Sequence, residues 1–148
     1  MPKIDFSQAT TAATRNASAL AAAKAQANAR VITLIEAATA TITGPVPLAE
    51  MLSWTAKEEA ARRSFEMIVN APSEPLLVGE AAITGETVQS LAAKIIANAD
   101  AYRTIIAVLA GLRRKTSAAI DTAQTPEAVQ TAVEAMAAQL ATLGQGND

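Results

Sequence analysis

The chain of 148 residues contains no cysteine and no histidine. Those two absences exclude disulfides, thiolate and imidazole metal sites, cysteine nucleophiles and histidine general bases. Aromatic residues are also scarce, at 3%, so a row of stacking platforms for nucleic-acid bases is excluded. Neither charge sign dominates: 12 basic and 14 acidic residues leave a net charge of -2, which provides no electrostatic footprint for nucleic acid. Glycine is sparse, and Gly79, Gly85 and Gly111 have no phosphate-binding spacing. No apolar run approaches the roughly 20 residues that cross a bilayer. Met1 to Ala12 lacks the basic-then-apolar build of a secretory leader. The expectation is a soluble intracellular protein with no membrane, nucleic-acid, metal or cofactor partner.

What the chain does contain is alanine, about a quarter of all residues. Alanine has the highest helix propensity and loses no rotamer entropy on ordering. It also buries little area, and burial contributes only roughly 25 cal/mol per Å² of apolar surface. Strong helices around a thin core are expected, and a thin core leaves room for a homo-oligomer. At this length one helical domain over 1–148 is the default.

The longest helical pattern runs from Glu86 to about Thr122. Val88, Leu91, Ile95, Asn98, Tyr102, Ile105, Leu109, Leu112 and Thr116 alternate at spacings of three and four, which lines them along one side of a helix. Ile96, Ala99, Ile106, Ala110 and Ile120 widen that side enough to touch two or three neighbours. An earlier helix follows a lead-in over 1–12, expected to be flexible, in which Ser7 is a candidate cap. It spans 13–43, where Ala13, Ala17, Leu20, Lys24, Ala27, Val31, Leu34, Ala38 and Thr41 form a coiled-coil-like seam, weak at its start. That weak first half is expected to project, fray or pack on a partner.

Gly44-Pro45-Val46-Pro47 stops this helix, because neither proline can donate a backbone hydrogen bond. A second helix follows, from about Leu48 to Asn70. One side of it carries Met51, Leu52, Trp54, Ala61, Phe65, Ile68 and Val69; the other carries Glu50, Lys57, Glu58, Glu59, Arg62, Arg63 and Glu66. It reads as an amphipathic surface helix with its charged side in water. Glu58 with Arg62 and Glu59 with Arg63 are favourable pairs four apart. Beyond the turn Ala71–Pro75, Leu76-Leu77-Val78 begins a short helical turn reaching Ile83. Thr84 is a candidate cap for the central helix, and Thr125-Pro126-Glu127 starts the last one, to about Leu143. Val129, Val133, Met136, Leu140 and Leu143 share one side of it, and 144–148 is expected to be a disordered tail. The fold class is all-α, with about four main helices in a bundle.

No catalytic constellation emerges. Glu58, Glu59 and Glu66 are the residue types for acid–base work or a magnesium site, but they alternate with cations and read as ion pairs. A serine nucleophile would lack an activating base. Arg113-Arg114-Lys115 reads as a solvated patch late in a helix, where positive charge suits the helix dipole. Trp54 is read either as the largest filler of a thin core or as an interface anchor. An enzyme is not expected.

Three stretches carry a resemblance: Pro47-Leu48-Ala49-Glu50-Met51-Leu52-Ser53-Trp54-Thr55-Ala56-Lys57-Glu58-Glu59-Ala60; Ile83-Thr84-Gly85-Glu86-Thr87-Val88 leading to Ala101-Tyr102-Arg103; and Ala118-Ala119-Ile120-Asp121 followed by Thr125-Pro126-Glu127-Ala128-Val129. Their order resembles small alanine-rich helical proteins of tailed phages and prophages, encoded near tail-fibre genes. The resemblance implies a non-enzymatic role in tail or fibre morphogenesis, as assembly chaperone or small virion protein. It implies a phage tail or tail-fibre protein as partner, and the host cytoplasm or the virion tail as location. On that expectation Leu20, Val31, Leu34, Trp54, Val129, Val133, Met136 and Leu140 are candidate partner contacts, alternatively satisfied within a monomer. A free-standing helical regulator that binds a host protein is the competing expectation.

Overall fold

A computed structural model describes residues 11–66 and 74–145. The described residues are all-helical, in the order α1 (Ala12–Thr43), α2 (Leu48–Glu66), α3 (Pro75–Thr84), α4 (Val88–Thr122) and α5 (Pro126–Gln145). The described residues form five helices where about four main ones were expected, because the short helical turn after Pro75 is a ten-residue helix of its own. The expected cap Ser7, most of the lead-in, the expected end of the second helix with Ile68, Val69 and Asn70, the first part of the Ala71–Pro75 turn and the end of the tail lie outside the described residues.

The helix boundaries follow local chemistry. Thr11 Oγ accepts the backbone N–H of Thr14 at 3.1 Å, and Thr125 Oγ accepts that of Ala128 at 3.2 Å; both caps satisfy an orphan donor of a first turn. The cap of α4 is Thr87, whose hydroxyl accepts the N–H of Ser90 at 3.1 Å. Thr84, the cap expected from the sequence, is the last residue of α3 instead. Gly85 explains the shift: its φ of 74° is the left-handed conformation that closes a helix, and its N–H bonds Ala81 O at 2.9 Å. A terminator at Gly85 leaves the next hydroxyl, Thr87, to start α4.

Contacts within the chain gather into two compact units. One comprises 1–42 with 109–148, the other 43–108, and α4 contributes to both. In the first unit, Ala27 and Val31 of α1, Ile120 and Ala123 at the end of α4, and Val129, Val133 and Met136 of α5 form the core. Leu20, Leu34 and Leu140 pack against it. Lys24 Nζ donates to the carbonyl of Asp121 at 2.7 Å, placing a cation on the negative end of α4. In the second unit the core is Ala60 and Ala61 of α2, Leu77 and Ala81 of α3, and Leu91 and Ala92 of α4. Four of those six are alanines, so this unit is held by close helix approach more than by buried area.

Candidate interaction site

The second unit carries most of the molecule's unusual surface. Helix α2 turns toward its neighbours a side only partly the one its apolar residues suggest. Ala61 is buried and Trp54 half-buried on the expected side, and Glu50, Glu59 and Arg63 are exposed, but Leu52 is 75% exposed and Phe65 45%, whereas Glu58 is 9% exposed. The amphipathic reading is therefore corrected at Leu52, Phe65 and Glu58. The reason lies in size and pairing: alanines let helices approach closely, and the carboxylate that enters with them is fully partnered.

Glu58 accepts Arg62 Nε at 2.7 Å from one turn on. Arg103 of α4 grips the same carboxylate with both terminal nitrogens, Nη1 at 2.5 Å and Nη2 at 2.7 Å. Arg62 also reaches Asp100 of α4 at 2.5 Å, so two acids and two guanidiniums form one linked group. The Arg62 hydrogen bond, opposed by burial and reinforced by Arg103, holds the Glu58 carboxyl below its usual range. Beside this group the Trp54 and Tyr102 rings meet edge-on, with centroids 5.8 Å apart, a geometry favoured by the aromatic quadrupole. On the other flank Lys57 pairs with Glu80 at 2.6 Å and Arg63 with Glu74 at 2.9 Å, joining α2 to α3. Arg63 draws the Glu74 carboxyl below its usual range as well.

The ion pairs foreseen within α2 are present, at 2.7 Å for Glu58–Arg62 and 3.9 Å for Glu59–Arg63. The contribution of Asp100 and Arg103 was not foreseen, since nothing local couples residues forty positions apart. Every described carboxylate of the acid–base candidates is thus engaged by a cation, and the side chain of Glu66 lies outside the described residues. Among the described residues no group of three acidic side chains is placed to hold a metal ion.

Between α2 and α4 lies a groove lined by Arg62, Phe65, Ala93, Ile96 and Ala97. It is open to solvent. Ala93 and Ala97 stand four apart on α4, and Arg62 is the only ionisable side chain in the lining. Small-molecule sites are enclosed and bring several polar groups together; this groove is open and does neither.

The candidate contact residues separate into two groups. Val31, Val129, Val133 and Met136 are buried in the core of the first unit, with Leu20, Leu34 and Leu140 packed on it, the arrangement in which a monomer satisfies them. Trp54 is half-buried against Tyr102 in the second unit. Residues that sequence reasoning passed over, Leu48 and Ile83, are among the most exposed apolar side chains, at 69% and 89%. Ala93 and Ala97 were not singled out from the sequence either. Arg113, Arg114 and Lys115 are exposed, as expected of a solvated patch. Helix α4 is also, by length and composition, long and apolar enough to cross a membrane, contrary to the reading from runs alone. Asp100 and Arg103 interrupt its apolar residues with charge.

Compared with protein families, curated proteins and solved structures, the chain matches none.

Proposed function

We propose that the protein is a non-enzymatic binding component of tailed-phage tail or tail-fibre morphogenesis, an assembly chaperone or small virion protein, that receives an apolar helix of a tail or fibre protein in the α2–α4 groove. The observation that carries the binding role is the groove itself: Phe65, Ile96, Ala93 and Ala97 offer apolar surface to solvent beside a fully paired ionic group. Side chains as small as those of Ala93 and Ala97 let a partner helix approach closely, and the ion pairs leave no unpaired charge to desolvate. The tail-region assignment rests on the sequence resemblance. A membrane role is not favoured, because a charge at the centre of a spanning helix costs about 2.5–3.5 kcal/mol even on the most lenient scales.

Co-expression with the tail or tail-fibre protein proposed as its partner, followed by size-exclusion chromatography, tests the reading. The two proteins are expected to co-elute, and Phe65→Glu or Ala97→Glu is expected to reduce the complex at least tenfold while leaving helicity unchanged. Failure of the wild-type chain to co-elute, together with its absence from purified particles, would end the tail-assembly proposal.

A further inference from the structure

The two units use their cations differently. In 43–108 every cation, Lys57, Arg62, Arg63, Lys94 and Arg103, stands in an ion pair. In the first unit Arg113, Arg114 and Lys115 follow one another on α4, all exposed and with no ion pair among the described residues. No acidic residue stands between Asp100 and Asp121, so none lies three or four positions away to pair along the helix. The helix dipole gives these cations no role either. Helix α4 runs on to Thr122 and its last turn holds no basic residue, while the field of a helix end fades within one turn. Leu109, Thr116 and Ile120 are buried and mark the side of α4 that faces the core. At about 100° per residue, Arg114 lies roughly 120–160° round the helix from each of them. Its neighbours on that outer side, Ala110, Gly111 and Ala118, are exposed, and a Cβ added at Gly111 would meet nothing within 4 Å, so small residues leave the guanidinium clear. Arg113 and Lys115 project about 100° to either side of Arg114, with about 3 Å of rise between them. A negative charge over Arg114 therefore lies within about one Debye length, roughly 8 Å, of the other two helix positions.

We propose that this stretch of α4 binds an acidic segment of a partner protein, a short run of aspartates or glutamates. Charge complementarity is the argument: three cations within one turn have no counter-charge on their own helix, and a run of carboxylates of similar length supplies it. Extended polyanions fit less well. Asp121 at the end of α4 and Glu127 and Glu134 of α5 are exposed and have no ion pair among the described residues. A DNA duplex or an anionic bilayer laid on this unit would meet those carboxylates as well as the cations, whereas a short segment over Arg114 meets the cations alone. A single-stranded nucleic acid would find no aromatic platform beside them. Exposed ion pairs are individually weak and screened by salt, so this contact steers and orients a partner more than it holds one. It uses none of the groove residues and does not depend on the groove being occupied.

Fluorescence anisotropy of a fluorescein-labelled glutamate-rich peptide, titrated with the full chain, tests the proposal. Binding is expected at about 50 mM salt and should weaken severalfold at about 200 mM, where screening is stronger. Arg113→Gln, Arg114→Gln and Lys115→Gln combined, with helicity checked by circular dichroism, should weaken it at least tenfold. Arg30→Gln removes an exposed cation of α1 from outside the cluster and should change the affinity less than twofold. Duplex DNA and vesicles of phosphatidylserine and phosphatidylcholine are the competing polyanions, and both are expected to bind more weakly than the peptide. Absence of peptide binding by the wild-type chain, full binding retained by the triple variant, a loss in Arg30→Gln as large as in the triple variant, or tighter binding of DNA or vesicles overturns the proposal. The titration contains no fibre protein, so its failure is distinguishable from failure of the groove to bind one.

Discussion

At the scale of single residues, glycine positions separate helix chemistry from turn chemistry most sharply. Gly79 and Gly111 lie inside α3 and α4 with nothing within 4 Å of an added Cβ. Alanine there restricts the unfolded chain and meets no obstacle, so Gly79→Ala and Gly111→Ala should each stabilise the protein by about 0.5–1 kcal/mol. Gly85 also has open space, but its φ of +74° is a conformation that a Cβ penalises. Gly85→Ala should therefore destabilise by about 1 kcal/mol. Denaturant midpoints of the three variants check both signs. An identical shift at all three would show that backbone conformation is not what distinguishes them.

At the scale of elements, the ionic ties of α2 to its neighbours make this region sensitive to acid. The folded carboxyls of Glu58 and Glu74 both lie below their ordinary value of 4.5. Their contribution is then fully present above about pH 4.5 and is lost as the pH falls from there through the lowered values. Thermal midpoints followed by circular dichroism should decline below about pH 4.5, and the decline should be shallower in a Glu58→Gln, Glu74→Gln double variant. Equal slopes in the two proteins would contradict this assignment.

Element boundaries were largely legible from the chain. The three-four spacing marked α4 within two residues of its start, Thr125-Pro126 marked α5, and Gly44-Pro45 the end of α1. What could not be read was which side of α2 faces inward. Hydropathy assigns Leu52 and Phe65 to the interior and Glu58 to water. The alanine pair and the distant Arg103 reverse that assignment, because tertiary partners decide the cost of burying a charge. Similarly, the periodic apolar residues of α1 and α5 were visible, but whether they face a partner or each other depends on a fold-back that no local pattern encodes.

At the scale of the whole molecule, exposed apolar surface is unevenly distributed. Of the eleven large apolar side chains that remain exposed among the described residues, eight belong to 43–108: Leu48, Met51, Leu52, Phe65, Leu76, Val78, Ile83 and Val108. The unit with the thinner core is thus also the one with the more apolar surface. A chain that acts by presenting helical faces to other proteins accounts for both properties. Amide hydrogen exchange of the protein with and without the partner proposed for it, a tail or tail-fibre protein, tests that account most directly. Protection on binding should concentrate in the second half of α2 and the first half of α4, on either side of Phe65 and Ile96, with little change in α5. No change at the groove, or protection confined to α1 and α5, would contradict it.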